Sequence, residues 1–166
     1  MLRPDSFAKL CFVGDVVPDQ TYRFSTALKA YIKGHDIRIF NLEGAFSDKR
    51  QPLFKAGKHL LLEAEYLAPF ADCFTVAVLA NNHAMDYGPE GLSTTQTICH
   101  QHQLHTIGGG LNTREAYTPL EMGNCRIIAV AENEFGAARI DAPGIAVTDD
   151  TSTILRVLNE GRRLGK

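Results

Sequence analysis

Three times in its first half the chain runs through an apolar, strand-like segment and breaks off into a short polar motif. Gly14-Asp15 follows LCFV, Asn41-Leu42-Glu43 follows IRIF, and Asn81-Asn82-His83 follows FTVAVLA. In open α/β sheets the loops leaving the carboxyl ends of strands line the ligand crevice. Two carboxylates and an amide-imidazole pair are therefore expected to converge at one edge of such a sheet.

The intervening segments support this rhythm. LCFVGD reads as a first strand, TYRFSTALKAYIK as a helix and IRIFNLE as a second strand, because short apolar runs end each time at turn-forming polar residues. Residues 63–71 suit a short helix and FTVAVLA a buried strand with β-branched content. GPEGLSTTQTICHQHQ suits a helix with Pro89 in its first turn, and HTIGG the next strand. YTPLEMG and CRIIAVAE, joined through Gly123-Asn124, have the turn chemistry of a hairpin. The tail TSTILRVLNEGRRLGK has helical spacing behind a Thr or Ser cap.

Oxygen donors combined with one imidazole suit Mn, Fe, Zn or Mg rather than a thiolate-bound structural metal. Asp15 and Glu43 supply negative charge, Asn82 a carbonyl oxygen and His83 a ring nitrogen. Two such carboxylates would offset the repulsion between two cations about 3.5–4 Å apart, whose bridging hydroxide could attack a phosphate ester. Each motif also has an ordinary structural reading. Gly-Asp after a strand is a common turn and helix cap, and Glu43 before Gly44 suits a solvated turn. Asn-Asn-His straight after an apolar run demands partners, since each polar group buried without one costs about 1–3 kcal/mol.

FVGDVVP, NLEGAFSD and LANNHAMDYGPEGLSTTQTICHQHQLHTIGGGLNTREAYTPLEMGNCRIIAVAE together resemble the bacterial capsule and poly-γ-glutamate synthesis proteins of the CapA family, over most of residues 10–136. The resemblance implies a calcineurin-like metallophosphatase fold, an α/β/β/α sandwich with mixed sheets, of which residues 1–166 form the amino-terminal part as a single domain incomplete at its carboxyl end. It implies metal roles for Asp15, Glu43, Asn82 and His83, and divalent Mn, Zn or Fe, two ions in a complete domain. His83 is then a ligand or the proton donor to the leaving oxygen. Asn41, Asp86 and Tyr87 would orient the site.

Two departures stand out. Arg23, within VVPDQTYR, is the nearest equivalent of a basic residue that follows the first motif in many family members. The family's later motifs, His-x-Gly-x-Glu and Gly-x-x-Pro-His, do not occur before Lys166, so the chain is expected to be the amino-terminal portion of the domain or a degenerate relative with half the ligands. The expected function is a metal-dependent phosphoesterase-like domain of capsule or polyglutamate synthesis, acting on a phosphoester. The competing expectation is a non-catalytic component that binds an anionic polymer or a partner in a synthesis and export complex.

With 17 Lys and Arg against 19 Asp and Glu, the net charge of -2 argues against general nucleic-acid binding. Arg162, Arg163 and Lys166 complement the dipole at the end of the tail helix. Cys11, Cys73, Cys99 and Cys125 are widely spaced and read as reduced thiols. No apolar stretch reaches membrane-helix length and MLRPDSFAKL is not a signal peptide, so the chain as given reads as soluble and cytosolic; some members of the resembled family are anchored or exported. Gly108-Gly109-Gly110 reads as a flexible strand exit, since it lacks the spacing of a phosphate loop. His100, His102 and His105 read as a solvated helix end, and Glu132 and Glu134 as exposed residues at a strand end that can approach the crevice.

Overall fold

The three apolar runs and the HTIGG segment do become neighbouring strands. The computed structural model describes residues 8–49 and 51–148, together with residues 152 and 155. Strand β1 (Leu10–Val16) is followed by helix α1 (Thr26–Lys33) and β2 (Ile37–Leu42). The helix begins five residues later than its sequence suggests. Asp19 accepts the Thr21 amide at 2.7 Å and turns the chain, and the Ser25 hydroxyl then accepts the Leu28 amide at 3.1 Å, capping the first turn.

Two short strands follow, β3 (Ala45–Phe46) and β4 (Leu61–Leu62). The helix expected over 63–71 divides into a 3₁₀ turn, Ala64–Tyr66, and α2 (Ala68–Ala71). Next come β5 (Val76–Val78), α3 (Gly88–Gln101) and β6 (His105–Ile107). The chain continues through β7 (Gly109–Gly110), α4 (Thr113–Ala116), β8 (Leu120–Met122), β9 (Cys125–Ile127) and β10 (Ala131–Glu132). It closes with β11 (Gly144–Ile145) and β12 (Val147–Thr148). Of the expected tail helix, only Ser152 and Leu155 are described; Arg162, Arg163 and Lys166 lie outside the described residues.

Strands β1, β2, β5 and β6 lie in that order in one parallel sheet, and the other strands form two-stranded pairs, so the class is α/β as expected. Alternation along β2 divides the core. Phe40 and Leu42 face Phe70, Phe74, Leu92 and Cys99, contributed by the helical side, while Ile37 and Ile39 join Val76 and Ile107 on the other face. The expected hairpin, β8 against β9 in antiparallel register around Gly123, covers that second face with Leu120, Met122 and Ile127. Aromatic rings tighten the helical side: Phe70 meets Tyr22, Phe24 and Phe40 at centroid separations of 4.9, 5.1 and 5.9 Å.

The glycine triplet differs from expectation. Gly108, Gly109 and Gly110 are buried, and a Cβ on Gly108 would fall 2.6 Å from that of Ala80. Gly108 also adopts φ +82°, which ends β6 and redirects the chain to pair β7 with β11. Close backbone approach, rather than flexibility, accounts for these residues.

Candidate metal centre

The parallel register sets where each polar motif emerges. Phe12 pairs with Ile39 and Asp15 with Asn41, so β1 carries one extra residue at Val13-Gly14. This bulge changes the side to which the following residue points and places Asp15 beside Asn41, whose Nδ2 donates to Asp15 Oδ1 at 2.6 Å. Asn81, at the exit of β5, donates through Nδ2 to Asn41 Oδ1 and to the Leu42 carbonyl, both at 3.0 Å. A run of amides thus ties the ends of the three strands together. Glu43 is brought to the same edge by its own amide, which donates to the Val16 carbonyl at 2.9 Å. Gly44, at φ +124° and packed against Leu62, turns the chain sharply away behind it.

Asn82 and His83 follow Asn81 in a tight turn, in which the His83 amide donates to Asn81 Oδ1 at 3.0 Å. Asn82 donates through Nδ2 to Glu134 Oε2 at 3.0 Å, which leaves its carbonyl oxygen as the free end of the amide. The His83 ring has a similar polarity. Its Nδ1 lies 2.8 Å from Oδ2 of Asp86, a carboxylate wholly removed from solvent, and that same oxygen accepts the Leu60 amide at 2.7 Å. A carboxylate oxygen in this position accepts, so the proton belongs on Nδ1 and the lone pair on Nε2. Nε2 faces Glu43, 3.8 Å from Oε1. Carboxylate, imidazole and open ring nitrogen in series is the arrangement that orients metal-binding histidines.

Asp86 Oδ1 is met by the ammonium of Lys55, whose side chain is only 9% exposed. Sequence reasoning missed Lys55. It sits in FKAGKH, a segment without periodicity or motif, and a single lysine there carries no signal that separates it from Lys49 or Lys58.

Asp15, Asn41, Glu43, Asn81 and Asn82 line one crevice of about 210 Å³ together with Ala131, Glu132 and Glu134, whereas His83 stands outside that lining and meets it through Glu43. The two glutamates after β9 therefore stand at the crevice wall. Asp86 lies behind His83, and Tyr87 stands at the start of α3, outside the crevice lining. Arg23 does not reach the crevice, because its Nη1 donates to the Gln20 and Tyr22 carbonyls of its own loop at 2.7 and 2.8 Å. His100 ends α3 with its Nε2 3.2 Å from the Thr106 hydroxyl, and His102 caps that helix.

The lining holds four carboxylates, Asp15, Glu43, Glu132 and Glu134, and no basic side chain. Such a cleft attracts cations and repels anions. Among the described residues no three His, Cys, Asp or Glu side chains are set closely enough to grip an ion in their present rotamers. The chemistry of the donors nonetheless fits a divalent cation: oxygen ligands, one imidazole with its open nitrogen toward a carboxylate, and an amide with its carbonyl free.

No helix among the described residues is long and apolar enough to cross a membrane. No curated protein matches the chain. The family of bacterial capsule synthesis proteins called PGA_cap matches residues 9–152, a span that contains every motif at the crevice, and the chain belongs to that family of capsule and polyglutamate synthesis proteins.

Proposed function

We propose that the protein contributes a metal-dependent phosphoesterase activity to capsule or poly-γ-glutamate synthesis, with Asp15, Glu43, Asn82 and His83 holding the cation. The observation that carries this reading is the alignment Asp86–His83–Glu43, in which a buried carboxylate fixes one ring nitrogen and turns the other toward Glu43, a carboxylate of the crevice lining. Mn, Zn or Fe bound there would lower the pKa of a coordinated water and neutralise phosphate charge. Asp86 keeps the His83 proton on Nδ1, so Nε2 acts as a ligand. Asn41 holds one oxygen of Asp15 and leaves the other for the crevice. Glu134 fixes Asn82 with its carbonyl oxygen free. The excess of carboxylates makes entry of a phosphoester or another anion conditional on a cation already being present.

A second reading is favoured by the open spacing of the carboxylates and His83: a non-catalytic component that binds an anionic polymer or an assembly partner. Calorimetry with Mn²⁺ and Zn²⁺, paired with a phosphodiester hydrolysis assay, distinguishes the two. Metal binding and turnover that are both lost in Glu43→Ala and His83→Ala support the enzyme. Unchanged metal affinity and hydrolysis in both variants reject it, and polyglutamate binding that persists in chelator and in Asp15→Ala supports the polymer-binding role.

A further inference from the structure

We propose that Lys55 is a positioning residue for the crevice: its ammonium fixes the Asn82-His83 turn and secures His83 Nδ1 on Asp86, so that Nε2 faces Glu43. This deepens the reading of Asn82 and His83 as ligands and rests on it. Lys55 holds two acceptors of the turn at once. Nζ donates to the Asn82 carbonyl at 3.0 Å and ion-pairs with Asp86 Oδ1; its 3.3 Å approach to His83 Nδ1 sets two donors side by side, both directed at the Asp86 carboxylate. Its fourth neighbour is the Phe135 ring, 5.2 Å from Nζ to the centroid, which leaves the ammonium little room to leave.

The loop that delivers Lys55 is itself fastened to Asp86 on both sides. Before Lys55, the Leu53 amide donates to the Asp86 carbonyl at 2.8 Å; after it, the Leu60 amide donates to Asp86 Oδ2 at 2.7 Å. His59 Nε2 lies 2.7 Å from the Leu53 carbonyl and closes the loop on itself. The three partners of the Asp86 carboxylate are thus divided: Lys55 takes Oδ1, while Oδ2 serves Leu60 and His83. Without Lys55, Oδ1 loses its counterion and the carboxylate is held only through Oδ2 by the Leu60 amide, so it can turn about that bond and His83 loses its fixed partner. A surface lysine would not have this effect, since an exposed pair contributes about 0–1 kcal/mol and leaves its partner mobile.

The test is ¹⁵N NMR of the His83 ring in the metal-free full chain at one pH of about 8, above the ordinary imidazole range. Wild type is expected to show two well-separated ring-nitrogen resonances, with the proton on Nδ1. Lys55→Met should lose that separation or place the proton on Nε2, and Lys55→Arg, which keeps a cation, should restore it. An unchanged Nδ1 signature in folded Lys55→Met overturns the proposal, as does a wild-type ring protonated on Nε2. Should Lys55→Met fail to fold, the wild-type Lys55 ammonium decides: slow exchange with water is required, and fast exchange overturns the assignment. Because no metal is present, the result is independent of the phosphoesterase reading. A chain whose His83 signature depends on Lys55 yet binds no Mn²⁺ would reject that reading and leave this one standing.

Discussion

Lys55 and Asp86 should be coupled in stability far beyond what either contributes alone. Asp86 is fully buried and the Lys55 side chain is 9% exposed, so removing one charge leaves the other without its counterion in a poorly solvated place. Breaking such a buried pair from one side costs about 3–5 kcal/mol, whereas removing both charges together is often close to neutral. Asp86→Asn keeps volume and one acceptor for Leu60 or His83, so its cost is chiefly electrostatic. Each of Asp86→Asn and Lys55→Met is therefore expected to destabilise the fold by about 3–5 kcal/mol, which corresponds to about 6–20 °C in Tm for a chain of this size. The double variant should lose about 1–3 kcal/mol, the cost of hydrogen bonds that the asparagine replaces imperfectly. Urea unfolding of the four proteins closes the cycle, provided that the m-values agree. Additivity of the two single losses to within about 0.5 kcal/mol would show that the charges do not sense each other, and the account of the site given above would fail.

Gly108→Ala must adopt φ +82° and place a Cβ 2.6 Å from that of Ala80, so a loss of about 2–5 kcal/mol is expected from backbone strain and overpacking together; an unchanged urea midpoint contradicts the close packing. Thr95, fully buried, donates to the Gly91 carbonyl and accepts the Phe46 amide at 2.9 Å. Thr95→Val should cost about 1–3 kcal/mol by leaving that amide unpaired, and Thr95→Ser much less; equal losses would refute the role of the hydroxyl. Hydrogen bonds from Lys33 and then Lys29 hold the Asp72 carboxyl below the usual carboxylate range. A carboxyl lowered in the folded state stabilises above its unfolded value of 3.8, and that contribution fades as pH falls through the lower folded value. Asp72→Asn should therefore be the less stable protein at neutral pH and converge with wild type in acid; a gap that widens in acid would reverse the sign.

The strand-and-turn rhythm was legible because β2 and β5 are buried, and buried strands are written as unbroken apolar runs ending at polar turns. The site motifs were legible for the same reason, since two amides and an imidazole cannot follow a buried strand without partners. Helix starts were less so: Asp19 and Ser25 both suit a cap, and only the completed turn at Asp19 selects the second. The glycine triplet misled because sequence shows a missing side chain but not the Ala80 and Glu115 Cβ atoms that fill the space beside it. Arg23, the nearest equivalent of the basic residue in the resembled family, does not serve the crevice, its guanidinium being captured by nearby carbonyls of its own loop. Lys55 was invisible because what distinguishes it from other lysines is burial against a carboxylate 31 positions later, a purely tertiary property.

The strand order β1-β2-β5-β6 repeats the order of the chain itself. Each strand of the parallel sheet after β1 therefore finds a partner among residues already synthesised, and among the described residues no later strand is inserted between two earlier ones. A ribosome releasing this chain amino end first could add strands one at a time to a growing edge, each closing only the crossover just completed. The polar crevice is then finished in the same sequence, Asp15 first, Glu43 second and the Asn82-His83 turn third. Its last wall, carrying Glu132 and Glu134, arrives only after the β8–β9 hairpin has covered the open face of the sheet.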